Sequence, residues 1–210
     1  QIEFKNSITV EGEGRIQAKP DLAIIELSVL SQAKDVVGAQ QDNTKKINDI
    51  IKSLKEQGIE EKDLKTSNYS IYPRYQYLAG KSEIVGYEIN QTIQVKIRKL
   101  DQIGQTIAKS TSLGANQVGS LQFTFDKEED LRNEARAKAI EAAKDKASKL
   151  ANQLGVKLVK IIGFNESGNM LPQPIYLAKG AEMGGGGETS QIQAGQNEVV
   201  SSVNITYEIQ

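Results

Sequence analysis

Side chains that perform common enzyme chemistry are scarce in this sequence of 210 residues. The chain contains no cysteine and no histidine. It therefore lacks thiol nucleophiles, disulfides, iron–sulfur clusters, the usual ligands of structural zinc and every acid–base scheme that uses an imidazole. The local spacing of its 27 acidic residues does not predict a pair of catalytic carboxylates for hydrolysis. The sequence predicts no catalytic residue, and we do not expect an enzyme.

Two local motifs resemble ligand sites but have simpler structural explanations. Residues 12–14 (Gly-Glu-Gly) resemble the start of a dinucleotide-binding loop, yet Gln17 stands where a third glycine belongs and no helical pattern follows. We interpret them as a strand bulge or a close backbone contact. Four acids within residues 126–130 lack the ligand alternation and the glycine of a calcium loop, and acids favour the first turn of a helix. The sequence predicts no metal site and no cofactor.

An aromatic cluster is the strongest candidate for a functional surface. Five of the seven tyrosines fall within residues 69–87. Tyr and Arg are enriched at the hot spots of protein interfaces. Tyrosine is also an ordinary strand residue that packs its ring and leaves its hydroxyl in water, so both interpretations stay open at this point. The candidate interface residues are Tyr72, Arg74, Tyr75, Tyr77 and Tyr87.

The spacing of apolar residues predicts the elements that position these tyrosines. Residues 22–30 are rich in β-branched side chains and predict a strand. From Asp35 to Gln57 the apolar spacing becomes helical, with Asp35 placed as the N-cap and Gly58 placed at the C-terminal cap. We predict a long amphipathic helix directly after the strand.

The tyrosine cluster itself falls in a predicted β-hairpin. Its strands are residues 64–77 and 85–97. A shorter helix that opens at Asp101 and a strand at residues 118–125 follow, so residues 21–127 have the order βαββαβ. This is the order of a ferredoxin-like fold, in which two helices pack on one face of a four-stranded antiparallel sheet.

The remaining segments predict a second lobe. The clearest helix of the chain spans residues 128–154, where alanines and leucines recur at helical spacing along one thin stripe. Three further strands are predicted at residues 8–17, 156–164 and 199–209. We therefore expect an α+β protein with a ferredoxin-like lobe at 21–127 and a discontinuous second lobe made of residues 1–20 and 128–210.

The segment 165–197 is predicted as one long loop. It contains Pro172, Pro174 and a glycine run at 184–187, and it has too little apolar area to offset the entropy of ordering it. A loop of this length in a compact domain is usually functional, ordered by a partner, or disordered.

Charge and hydropathy limit the classes of partner. Lys and Arg number 26 against 27 Asp and Glu, so the net charge is −1 and the pI is near 5.8. The general attraction to nucleic-acid phosphates is missing, and we expect no nucleic-acid partner. The longest apolar runs fall far short of the ~20 residues that a transmembrane helix needs, so we expect no membrane-spanning segment. Because the chain begins with Gln1 rather than Met, a mature or trimmed form is the expectation.

Short motifs spread over residues 8–209 carry a family resemblance. In chain order they are Val10-Glu11-Gly12-Glu13-Gly14, Pro20-Asp21-Leu22-Ala23, Asn43, Gly58-Ile59, Asp63-Leu64-Lys65-Thr66, Pro73-Arg74-Tyr75, Gly86-Tyr87-Glu88-Ile89-Asn90, Gly114-Ala115-Asn116, and Glu134-Ala135-Arg136-Ala137-Lys138-Ala139-Ile140 with Ala143, Lys146 and Ala147. No single motif is diagnostic, but their order and spacing together resemble the SIMPL domain family, also known as DUF541.

The resemblance implies an α+β protein that is secreted, periplasmic or attached to the bacterial cell envelope. It also implies a link to oxidative-stress tolerance and a tendency to self-associate. It implies no established reaction, and the family has no agreed catalytic residues to transfer to this chain.

Two functions are consistent with the sequence. The first is a non-enzymatic envelope protein that forms a homo-oligomer through strand edges or the tyrosine hairpin, with a ring or channel-like scaffold as the assembly. The alternative is a ligand-binding module or an unrecognised hydrolase whose site lies between the two lobes and whose small-molecule ligand is unknown. The mass in solution distinguishes them, because only the first requires a multiple of 23.0 kDa.

Overall fold

The computed structural model describes residues 6–78, 80–167, 173–175 and 194–210. These residues form two compact units. Among the described residues, one unit is Asp21–Phe125, which we call the central unit. The other, which we call the flanking unit, holds the described residues up to Pro20, those from Asp126 to Ile175, and Ala194–Gln210.

The described residues contain eight strands and three α-helices. In chain order the strands are β1 (Ser7–Ala18), β2 (Leu22–Ala33), β3 (Leu64–Leu78), β4 (Lys81–Ile97), β5 (Gln117–Thr124), β6 (Leu158–Ser167), β7 (Gln173–Ile175) and β8 (Gln196–Ile209). The helices are α1 (Val36–Glu56), α2 (Ile103–Ser112) and α3 (Glu128–Leu154). Within this part of the chain, no helix has the length and apolar character needed to cross a membrane.

Local chemistry accounts for both ends of α1. The carboxylate of Asp35 accepts a hydrogen bond of 2.7 Å from the backbone N–H of Gly38, which satisfies a donor that the first turn leaves free. After the helix, Gly58 has a φ of 86°, a left-handed conformation that glycine adopts without strain. Both predicted caps are confirmed. The predicted start of α2 at Asp101 is too early, because that residue lies in a short 3-10 turn and the helix begins at Ile103.

The central unit is a four-stranded antiparallel sheet in the order β3-β4-β2-β5. Residues of α1 and α2 pack on one face of it. The strand order and the helix placement are those of a ferredoxin-like fold, and the predicted α+β class is confirmed. The core lies between the sheet and the helices, and its largest fully buried side chains include Ile25, Leu27, Ile50, Leu54 and Ile93.

The flanking unit is a second antiparallel sheet with a single long helix on it. Its strands lie in the order β1-β8-β6, and β7 also pairs with β8. The three strands predicted for the second lobe therefore share one sheet. The small core beneath α3 includes Val10, Ala139, Ala143, Ala147, Val203, Ile205 and Tyr207.

The segment predicted as a loop at residues 165–197 needs correction where the structure describes it. The strand β6 continues to Ser167, β8 already begins at Gln196, and β7 lies inside the segment. Pairing with β8 explains the difference for β7, because strand pairing satisfies backbone N–H and C=O groups that a loop leaves to water. The glycine run at 184–187 lies outside the described residues.

Small residues allow α3 to lie directly on β1. A Cβ atom built on Gly12 would stand 2.1 Å from the carbonyl oxygen of Ala139, and one built on Gly14 would stand 2.0 Å from that of Ala135. Neither distance leaves room for a side chain, so the helix backbone touches the strand backbone here. The Gly-Glu-Gly motif is therefore a close backbone contact. The buried alanines of α3 recur at every fourth position: Ala135, Ala139, Ala143, Ala147 and Ala151.

Candidate functional site

The hairpin of β3 and β4 projects beyond the other strands of the central sheet. The strand β2 pairs with β4 only as far as Tyr87, whereas β3 and β4 pair with each other up to Leu78 and Lys81. Among the described residues, no third strand pairs with this last part. We call residues 73–78 together with residues 81–86 the arm.

The arm is amphipathic because successive strand residues point to opposite faces. Tyr75 pairs with Ile84 and Tyr77 pairs with Ser82, so these four residues share one face of the ribbon. By the same alternation, this is the face on which the helices pack elsewhere in the sheet. Arg74 points to the opposite face.

The apolar face of the arm is exposed. Tyr75 is 53% exposed, Tyr77 is 78% exposed and Ile84 is 51% exposed. Val85, the extra residue at a bulge between the two strands, is also exposed. A contiguous apolar surface of this kind on a folded chain is typical of an interaction site.

The structure separates the five candidate interface residues. Tyr75 and Tyr77 lie on the apolar face of the arm, whereas Tyr72 and Arg74 lie on the opposite face of β3. Tyr87 is half-buried at the base of the arm, where β2 still pairs with β4. Only two of the five therefore share the exposed apolar face, and Ile84 of β4 extends it.

The base of the arm is fixed by close packing and by a hydrogen bond. A Cβ atom on Gly86 would stand 2.6 Å from the carbonyl oxygen of Ala33, so only glycine allows the end of β2 to approach β4 here. The hydroxyl of Tyr69 on β3 accepts a hydrogen bond of 3.3 Å from Nε2 of Gln40 on α1. These contacts hold the hairpin where the arm begins.

A second exposed apolar surface lies on β6 in the flanking unit. It consists of Val159, Ile161, Ile162 and Phe164, which are between 43% and 53% exposed. We call these four residues the shelf. Ile161 and Phe164 pair with buried residues of β8, so they point to the side of the sheet that carries α3.

The shelf is exposed because α3 covers only part of its four-stranded sheet. The helix α3 packs on β1 and β8 and has few contacts with β6. A helix with its side chains is about 10 Å wide, and neighbouring strands lie about 4.8 Å apart. A single helix therefore covers about two strands, here β1 and β8, and does not extend over β6.

Charged groups around the shelf are paired within the chain. The Nε atom of Arg136 donates to both carboxylate oxygens of Glu166 at 2.8 Å and 2.7 Å. The hydroxyl of Ser201 donates to the same carboxylate at 3.1 Å. On the other face of β6, the Nζ atom of Lys160 lies 3.6 Å from a carboxylate oxygen of Glu208. A partner that covers the shelf therefore does not have to bury an unpaired charge from these groups.

The acidic segment before α3 serves as the start of a helix. Its acids at residues 128–130 occupy the first turn of α3, where the helix dipole favours negative charge. Glu128 also pairs with Arg132 one turn later at 2.5 Å. Within the described ranges, no group of three acidic side chains is placed to hold a metal ion.

A polar cluster ties α1 to β2. The carboxylate of Asp42 accepts a hydrogen bond of 2.6 Å from Nζ of Lys46 and another of 2.6 Å from the hydroxyl of Ser31. The bond from Lys46, followed by the bond from Ser31, holds the pKa of Asp42 below its ordinary value of 3.8. Asp42 is therefore ionised at neutral pH, which suits a structural anchor and not a general acid.

Asn43 is a buried amide between α1 and the sheet. Its Nδ2 atom donates to the carbonyl oxygen of Val29 at 2.8 Å and to that of Ile89 at 3.4 Å, so it bridges β2 and β4. Its Oδ1 atom has no hydrogen-bond partner in the described part of the chain. Asn43 is one of the residues that carry the family resemblance, and the structure gives it a role in positioning α1.

Comparison with known proteins agrees with the motifs. The model of the SIMPL family, described as a protein of unknown function (DUF541), matches residues 8–207. The 26 kDa periplasmic immunogenic protein of Brucella melitensis is 35% identical, over 96% of this chain and 84% of the relative. Proteins named YggE from Edwardsiella ictaluri and Escherichia coli K12 are 30% and 29% identical, over 80% of this chain and 71% and 69% of their own lengths.

Proposed function

The chain belongs to the SIMPL family, and we propose that it is a non-enzymatic periplasmic protein that assembles with copies of itself through the arm. The location is that of the Brucella relatives, whose names call them periplasmic. The observation that carries the assembly is the exposed apolar face of the arm.

A two-stranded ribbon with exposed apolar side chains gains stability from a partner. An isolated hairpin is at best marginally stable in water, because it buries little apolar area. Covering Tyr75, Tyr77 and Ile84 would remove their exposed area from water, which contributes about 25 cal/mol for each Å² of apolar surface. Tyrosine is also enriched at the hot spots of interfaces. The arm therefore has the composition and the exposure of a subunit contact.

We include in this proposal a closed assembly such as a ring or a channel-like scaffold. A contact between two different surfaces repeats from copy to copy and stops only when the ring closes, whereas an open rotation produces a filament. The oxidative-stress role enters the proposal through the family resemblance, and we assign it to no residue.

The test is the mass of the protein in solution, measured by light scattering coupled to size exclusion over a range of concentrations. We expect a discrete multiple of 23.0 kDa that persists on dilution. The double variant Arg74→Glu with Tyr75→Ala reverses a charge and truncates an aromatic anchor of the arm. Its apparent dissociation constant should rise at least tenfold, which corresponds to about 1.4 kcal/mol.

A matched control separates the arm from general surface effects. The double variant Lys52→Glu with Val118→Ala reverses one charge near the end of α1 and truncates one exposed apolar residue on β5, the edge strand on the opposite side of the sheet from β3. This control should keep the mass of the unmodified protein. Equal masses for the two double variants would remove the arm as the contact. A clean monomer at every concentration would favour the ligand-binding alternative, which a thermal-shift screen of metals, sugars, peptides and lipids then tests.

A further inference from the structure

We propose that the arm of one copy docks on the shelf of a second copy. The proposal rests on the proposed self-assembly and names the surface that receives the arm. It commits to one occupant of the shelf, which is the apolar face formed by Tyr75, Tyr77 and Ile84.

The first argument is that one chain carries two uncovered apolar surfaces. The apolar side chains of the arm and those of the shelf are each about half exposed or more. Folded proteins seldom leave two such surfaces without a use, because each favours association.

The second argument is the shape of the space above β6. Protein domains are built of packed layers, and among the described residues the layer on the α3 side of this sheet is a single helix that has few contacts with β6. A ribbon of two strands is about as wide as the missing part of the layer, since its strands lie about 4.8 Å apart. With its apolar face on Ile161 and Phe164, the arm would turn Arg74 away from the contact and keep that charge in water.

The third argument is the area that the two surfaces offer. A fully buried large side chain such as tyrosine removes about 150–250 Å² from water, so the three exposed side chains on the apolar face of the arm offer roughly 350 Å². A stable pair of proteins buries about 800 Å² on each partner. One contact between an arm and a shelf is therefore small, but a copy that uses both surfaces buries roughly 700 Å² in total.

The charges around the shelf allow this contact. Arg136 and Glu166, on the side of the sheet that carries α3, are paired within their own chain. An arm that covers Phe164 therefore meets a pair of charges that already compensate each other.

Cysteine cross-linking tests the proposal directly, because the chain has no cysteine of its own. Tyr77→Cys places a single thiol on the arm, and Ile162→Cys places one at the shelf while leaving Phe164 in place. The two single variants are mixed, allowed to exchange subunits and treated with a short bis-maleimide. We expect a covalent dimer of unlike chains, identified by mass spectrometry of the joined peptides, in at least tenfold excess over the dimer obtained when Thr44→Cys on α1 replaces Ile162→Cys.

Each other outcome overturns the proposal in a different way. Efficient cross-linking of Tyr77→Cys with itself would show that arms meet arms, which leaves self-assembly intact and removes the shelf. An assembled mass with no arm-to-shelf product above the Thr44→Cys control would also remove the shelf alone. A monomer by light scattering would remove the proposed function as well. In a chain that carries both cysteines, a cross-linked product of single-chain mass on dilution would show that a copy fills its own shelf.

Discussion

At the scale of single residues, the carboxylate of Asp42 links the stability of α1 to pH. Its pKa is lowered in the folded protein, so it contributes stability above the unfolded value of 3.8 and loses that contribution as the pH falls through the folded pKa. We expect Asp42→Asn to lower the free energy of unfolding at pH 7 by about 0.5–1 kcal/mol, because the pair with Lys46 is partly exposed.

The pH dependence distinguishes this effect from lost packing. Urea unfolding of both proteins should show a constant difference above about pH 5 and a shrinking difference below about pH 4, where the unfolded carboxyl takes up its proton. Asp49→Asn removes an exposed acid from the same helix and serves as the control. A difference that stays unchanged down to pH 2 would contradict the role of the charge.

The buried amide of Asn43 gives a second residue-scale prediction. Asn43→Asp places a carboxylate against the carbonyl oxygens of Val29 and Ile89, and we expect it to cost about 3–5 kcal/mol. Asn43→Leu keeps a similar volume and removes only the hydrogen bonds, so about 1–2 kcal/mol is expected. Denaturant unfolding at pH 7 measures both values. Equal losses for the two variants would show that packing, and not the amide donor, is what this position requires.

At the scale of elements, the contact between β1 and α3 predicts a large effect from one methyl group. Gly12→Ala would place its Cβ 2.1 Å from the carbonyl oxygen of Ala139, so α3 must move away from β1. Overpacking of this kind costs about 1–3 kcal/mol, and a rigid backbone neighbour favours the upper end. The melting temperature, followed by circular dichroism, should fall by several degrees.

The same substitution at an open site is the control. Nothing lies within 4 Å of a Cβ atom built on Gly104 in α2. Gly104→Ala should therefore raise the free energy of unfolding by about 0.5–1 kcal/mol, because alanine is the better helix former. A melting temperature for Gly12→Ala that equals or exceeds that of the unmodified protein would contradict the close contact.

The elements that depend on local patterns were predictable from the sequence. The helical spacing of alanines gives the bounds of α3, and the side chain of Asp35 marks the start of α1. The strand β7 was not predictable, because three residues are too few to show an alternation and their pairing with β8 is not local. The first predicted residue of β6 is also too early, since the backbone N–H of Val156 still bonds to the last turn of α3.

At the scale of the whole molecule, we propose that the central and flanking units are separate domains. Each has its own sheet and its own core, so a local defect should weaken one core first. Asn43→Asp should lower the hydrogen-exchange protection of amides in β2 and β4 by at least tenfold more than that of amides in β1 and β8. Gly12→Ala should produce the opposite pattern. Equal loss of protection in both units would show that they unfold as one.

The sequence predicts one of the two surfaces proposed for assembly better than the other. The tyrosines of the hairpin are visible as a cluster, but the bulge at Val85 sets their pairing and the sequence carries no signal for it. The shelf is visible only as an apolar strand, since its exposure depends on which strands α3 covers. Whether a strand is buried depends on how the helices pack on its sheet, so the sequence of β6 alone does not predict that its apolar side chains are exposed.

The pairing of β1 with β8 determines which of the two units can fold first. The hydroxyls of Thr9 and Thr206, 197 positions apart, are hydrogen-bonded at 2.9 Å across this ladder. Such distant pairing is slow to form, whereas Asp21–Phe125 contains all the strands of its own sheet. During synthesis the central unit can fold before β8, the partner strand of β1, has been made. A chain arrested before β8 would therefore leave an unpaired strand ready to join another molecule, and aggregation is the expected fate of truncated products.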